Sequence, residues 1–146
     1  TLMKDIWQLP LKSRLRMWRT LRKEIQALDD LLPKLEVVMQ FWKMAPISVR
    51  AIDPYNEGTW PNPWDLLHIN EYDENVVSLG IAYTLHYSDI PCRILLVQSV
   101  EKSEVKLIVL VDNCYILNYN YDIIDNPKLI NKLDVLKNID ISALSK

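Results

Sequence analysis

A chain of 146 residues, 49% apolar and 25% charged, fits one globular domain with a substantial core. Its net charge of −2 argues against a strongly basic nucleic-acid binder and against an acidic disordered tail. With only two glycines, phosphate-cradling glycine-rich loops are nearly excluded.

The opening stretch, Thr1 to Pro10, shows no charged-then-apolar leader pattern. No apolar run reaches the roughly 18 residues that span a bilayer. The expectation is a protein used in a cytoplasm, or carried in a particle assembled there. From Leu11 to Leu32 the apolar residues Leu11, Leu15, Trp18, Leu21, Ile25, Leu28 and Leu32 recur at steps of three and four. This spacing predicts one amphipathic helix, with Pro10 at its start, where proline is tolerated. The opposite face of its first half carries Lys12, Arg14, Arg16, Arg19, Arg22 and Lys23. A second helix is predicted from about Pro33 to Met44, with Leu35, Val38 and Trp42 on one side and Pro46 as its stop.

Prolines, Asp53, Asn56 and Gly58 mark 46–62 as an irregular connection, and Pro63-Trp64-Asp65-Leu66-Leu67 opens a short helix. A stronger helix runs from about Asp73 to Tyr87, apolar on so many sides that it should be buried. Arg93–Val100, Val105–Val111 and Tyr115–Tyr121 read as antiparallel strands. The middle of Val105–Val111 is apolar on both faces, which places it centrally in the sheet. Glu101–Ser103 forms a polar turn and Asp112-Asn113 a short hairpin. Pro127 starts a final amphipathic helix with Leu129, Leu133 and Leu136 inward. The expectation is a single α+β domain over 1–146: a helical arm or hairpin over 1–45, then a core over 46–146 in which a buried helix packs on a small antiparallel sheet.

Candidate chemistry is sparse. A cysteine nucleophile needs a thiolate, an imidazole and a third orienting group. Cys92 and Cys114 lie on neighbouring predicted strands and read as reduced buried thiols, although a disulfide is geometrically conceivable. The two histidines, His68 and His86, read as packing or capping residues. Neither forms a metal spacing with the cysteines, so no metal or cofactor is expected. The acids Asp65, Glu71, Asp73 and Glu74 read first as N-terminal caps of the long helix. The alternative is acid–base work by paired carboxylates. Trp60-Pro61-Asn62-Pro63-Trp64 is a rigid apolar corner, either a plug on the core or the lining of a recognition groove.

Asp73 to Tyr121 resembles the core of the transglutaminase-like, papain-related superfamily. There a buried helix begins with the catalytic cysteine and ends in a Gly-Ile-Pro-Ala-Arg turn, and the next two strands carry the histidine and the aspartate. Asp89-Ile90-Pro91-Cys92-Arg93 resembles that turn, Glu104–Val111 the histidine strand, and Cys114–Asn118 the aspartate strand. On this resemblance the cysteine place falls on Asp73, give or take one residue, the histidine place on Val105 or Lys106, and the aspartate place on Asn118. All three are changed, and an Asp–Lys–Asn set cannot perform thiol acyl transfer. Trp42–Pro46, the run from Trp60 to Leu67, Ala82–Leu85 and Tyr115–Asn118 further resemble small transglutaminase-like proteins of tailed bacteriophages.

The resemblance implies an inactive domain, not an enzyme, kept as a structural or assembly component of a virion. It would reside in the particle or in the host cytoplasm during assembly. Its partners would be other virion or assembly proteins, with a homo-oligomer possible, and neither a membrane nor nucleic acid is expected. The arm is the expected docking element: Trp18, Leu21 and Ile25, with Arg14, Arg16, Arg19, Arg22, Trp60 and Trp64, are the interface candidates. Two alternatives are a hydrolase using Asp73 or Glu74 as general base and a nucleic-acid accessory using the basic N-terminal helix.

Overall fold

The computed structural model describes residues 6–46, 52–69, 72–101, 104–120 and 122–144. Two helices open the chain, α1 (Leu11–Ala27) and α2 (Leu31–Lys43). The apolar periodicity continues to Leu32, yet the chain leaves the helix at Leu28, whose ψ is 146°. Pro33 explains the break. Inside a continuous helix its ring would collide with the carbonyl four residues back, whereas the first turn of a new helix accommodates it.

A short helix α3 (Pro63–Ile69) and the central helix α4 (Glu74–Tyr87) follow. Every residue of α4 from Val76 to Leu85 is buried, as its many-sided apolar surface predicts. Gly80 has a packing reason: a Cβ there would lie 2.5 Å from the Trp42 ring, so a glycine lets α2 and α4 approach this closely. The indole N–H groups of Trp18 and Trp42 both donate to Thr84 Oγ1, at 2.9 and 3.0 Å. The same hydroxyl donates to the Gly80 carbonyl at 2.8 Å. It thereby uses its one donor and both acceptor sites, and it ties α1, α2 and α4 together.

The sheet comprises β1 (Cys92–Ser99), β2 (Val105–Val111), β3 (Tyr115–Tyr119), β4 (Asp122–Asp125) and β5 (Leu133–Asp140), ordered β4-β3-β2-β1-β5 and antiparallel throughout. β2 takes the central place, with Leu107, Ile108 and Val109 fully buried. Asp112 and Asn113 turn the hairpin with φ of 54° and 52°, the paired left-handed conformations of a type I′ turn. The polar turn at 101–103 lies partly outside the described residues. Across it the Ser99 N–H donates to the Glu104 carbonyl at 2.9 Å.

The C-terminal region departs from the sequence reading. The helix expected from Pro127 is a single turn, α5 (Asn126–Leu129), and Leu133–Asp140 is a strand, followed by the short α6 (Ile141–Leu144). Leu133, Val135 and Ile139 suit a strand as well as Leu129, Leu133 and Leu136 suit a helix, and a bulge in β5 opposite Leu96 and Val97 turns Leu133 and Ile139 to opposite faces of the sheet. β1 decides between strand and helix. It is largely buried, so its second backbone edge needs hydrogen-bond partners, and β5 pairs along it from Ser99↔Leu133 to Arg93↔Asp140. Because β4 and β5 are the two edges, the segment 126–132 between them crosses the face of the sheet turned away from α4. There Leu129 and Leu133 close a small second core on Leu95, Val97, Ile108 and Ile116. Both cysteines are free. Cys92 is buried, but Cys114 is exposed at the β2–β3 turn, contrary to the expectation of two buried thiols.

Candidate functional site

The first turn of α4 meets β2 and β3 at one corner. Ser78 Oγ donates to the Leu107 carbonyl at 2.7 Å, and Asn75 Oδ1 accepts from the Leu107 N–H at 3.0 Å. These two bonds register the helix on β2 and set Lys106 beside the helix start. Lys106 Nζ lies 3.5 Å from Glu74 Oε1, 2.8 Å from Asn120 Oδ1 and 3.8 Å from Glu104 Oε2. It also stands 5.0 Å from the centroid of the Tyr119 ring. Its charge is thus compensated on several sides.

Asn118 reaches the same corner from β3. Its φ is 69°, and the β3–β4 register is irregular between Leu117 and Tyr119. Such an irregularity re-aims a side chain, and asparagine is one of the few residues that adopt this φ readily. The Asn118 amide donates to the Glu74 carbonyl at 2.9 Å and to Ser78 Oγ at 2.7 Å. The residue is fully buried, and its Oδ1 has no hydrogen-bond partner among the described residues.

Of the three places read from sequence, Lys106 and Asn118 do come together at the start of α4. The acid that faces Lys106 is Glu74, one residue after Asp73. Asp73 is the N-cap of α4 and accepts from the Val76 N–H at 2.8 Å, the capping role. Burial raises its carboxyl above the ordinary value, against backbone hydrogen bonds from Val76 and Asn75 that lower it. Glu71 lies outside the described residues, and Asp65 is exposed on α3.

No thiol or imidazole completes this corner. Cys92 begins β1, its Sγ donates to the Ala82 carbonyl at 3.6 Å, and burial pushes its thiol up to about 12. At neutral pH it is therefore no thiolate nucleophile. His86 lies in the last turn of α4, the end opposite Asp73, and His68 in the last turn of α3. Among the described residues no group of three or more His, Cys, Asp or Glu is placed to hold a metal ion. A cleft of about 810 Å³ opens at the far end of α4, lined by Lys34, His86, Asp89, Arg93 and Asp140 among others. None of Asp73, Glu74, Lys106 and Asn118 lines it.

The interface candidates divide. Trp18, Leu21 and Ile25 are only 1%, 3% and 0% exposed, so the apolar stripe of α1 belongs to the intramolecular core and is not a docking surface. More than a small sheet covers it: α2, α3 and α4 all pack on α1. Arg14 is also buried. Its guanidinium donates to the carbonyls of Leu9, Leu67 and His68, the last two in the final turn of α3, where a cation suits the helix end. A signal was available, because Arg14, Trp18, Leu21 and Ile25 share one helical stripe. Trp60 is buried, with its indole N–H on the Asp53 carbonyl at 2.7 Å, so it is a plug. Trp64, by contrast, is 48% exposed, and its ring lies 5.7 Å from Trp18 and 5.9 Å from Tyr87. The Arg22 guanidinium stacks over Trp18 at 4.5 Å, and burial, with Arg19 nearby, lowers its pKa. Arg16 and Arg19 are exposed.

No protein-family model matches this chain, and no curated protein matches it. No helix among the described residues is long and apolar enough to cross a membrane.

Proposed function

We propose that this chain is a non-catalytic transglutaminase-like domain that serves as a structural or assembly component of a phage virion. The observation that supports it is the corner where α4, β2 and β3 meet. A helix start faces two successive strands there, as in the catalytic core the sequence resembles, but the groups present bind one another. Glu74 pairs with Lys106, and the Asn118 amide is held by Glu74 and Ser78. A general base must stay free to take a proton from substrate. Asp73 is engaged by the helix cap and Glu74 by Lys106, which speaks against the hydrolase alternative. The phage setting rests on the resemblance of Trp60–Leu67, Ala82–Leu85 and Tyr115–Asn118.

The test is sedimentation of the native protein from a lysate of its source, with identification of what travels with it. Cofractionation with large particles, in fixed ratio to coat or tail proteins, is the expected result. Migration alone as a small species would reject the virion setting. A hydrolytic activity lost in Asp73→Asn or Glu74→Gln would reject the non-catalytic reading.

A further inference from the structure

The buried face of α1 leaves its opposite face unassigned. Lys12, Arg16, Arg19 and Lys23 follow one another at steps of four, three and four. At about 100° per residue they fall within about 60° of one another and span about 16 Å of the helix. All four are exposed. None forms an ion pair with a described residue. The helix has one acid, Glu24, which lies off this stripe, and no acid in its first turn.

This arrangement opposes the stability of its own helix. Lys12 with Arg16, and Arg19 with Lys23, are like-charged neighbours at i,i+4, which destabilise a helix. Lys12 also faces the positive end of the helix dipole. A row of cations held in this way is complementary to a row of anions. Next around the helix from Arg19, Arg22 stacks on Trp18, and the half-exposed Trp64 packs against that same indole. Arginine and tryptophan are the side chains most enriched where binding energy concentrates.

We infer that the outer face of α1, Lys12, Arg16, Arg19 and Lys23 with Trp64 at its edge, docks an acidic helix of another protein. The inference rests on the assembly reading and names the partner's chemistry. A helix carrying carboxylates at the same i, i+4, i+7 and i+11 steps has the same rise per residue, so it matches the row charge for charge. An apolar side chain beside that row covers the Trp64 ring. Nucleic acid fits less well. The exposed Asp65 adjoins Trp64 in the chain, and the whole chain is net negative, both unfavourable to phosphates.

The probe is a labelled helical peptide with four glutamates at those steps. It is compared with a peptide of equal composition whose glutamates are spread around the helix, and with an oligo-dT. Binding to the full chain is read by fluorescence anisotropy. The striped peptide should bind at least about ten-fold tighter than the spread one, and tighter than oligo-dT. The double variant R16E/R19E should lose that binding and regain it toward a peptide in which lysines replace only the two middle glutamates, opposite positions 16 and 19. Its Tm should not fall, because the reversal converts repulsive neighbours on α1 into attractive ones. Equal binding of the spread peptide would overturn the inference. So would preference for oligo-dT, or a Tm loss in the double variant. If the wild-type chain sediments with particles and R16E/R19E does so equally, the virion setting stands and this surface falls. If the charge swap holds but the wild type never joins particles, the surface stands and the setting falls.

Discussion

Thr84→Val tests whether α1 is part of the core or an arm laid on it. The substitution keeps the side-chain shape and removes one hydroxyl. That hydroxyl accepts from Trp18 at 2.9 Å and Trp42 at 3.0 Å, and both indoles are essentially buried. Each orphaned N–H costs about 1–3 kcal/mol. The Gly80 carbonyl loses only its second donor, since the helix supplies an N–H of its own. With two donors stranded and some relaxation, the loss should be about 3 kcal/mol. For a chain of this size that corresponds to a fall in Tm of about 10 °C. Thr84→Ser is the control: it keeps the hydroxyl and removes a methyl, with a loss of about 1 kcal/mol. Calorimetry gives the Tm, and near-ultraviolet circular dichroism reports the tryptophan environment. If Thr84→Val melts within about 2 °C of Thr84→Ser, the hydroxyl does not hold α1 and α2 on α4, and the assignment of the α1 stripe to the core loses its main support.

Three further outcomes are expected. Asn118→Asp, which sets an acid where the resembled catalytic core has one, should destabilise by about 3 kcal/mol, because a buried acceptor would replace the donor that now meets the Glu74 carbonyl; chemical denaturation measures it, and an unchanged midpoint would refute the locked corner. Asp73→Asn keeps an N-cap acceptor and removes a charge that burial disfavours. A carboxyl whose folded-state pKa is raised contributes least to stability above that pKa, so the gain over wild type should be present at neutral pH and fade as pH falls toward the ordinary carboxyl range. Melting across that pH window tests it, and a gain that grows on acidification would contradict it. Alkylation at mildly basic pH should label Cys114 in the native protein, with Cys92 reacting only after denaturation, since Cys92 is buried with its thiol raised to about 12; mass spectrometry of the labelled peptides reads the outcome, and native labelling of Cys92 would count against the buried thiol.

Local chemistry fixed much of this protein. The steps of three and four from Leu11 onward specify α1, the many-sided apolar run specifies a buried α4, and Asp73 caps it where an N-terminal acid should stand. The two-sided apolar core of Val105–Val111 specifies a central strand, and Asp112-Asn113 can supply the paired left-handed turn. Each of these is a short-range pattern, and no distant partner is needed to choose it.

The tertiary structure decided the rest. Leu133–Asp140 suits both a helix and a strand, and the open edge of β1 selects the strand. Arg14 lies on the apolar stripe of α1, and it is the carbonyls at the end of α3 that let a cation be buried there. Trp60 and Trp64 sit four residues apart in one aromatic corner, yet one plugs the core and the other remains half exposed. Glu74, rather than Asp73, faces Lys106 because Asn75 and Ser78 register the helix on β2. In every such case the local sequence permits two arrangements, and the choice comes from burial or pairing against a residue far away in the chain.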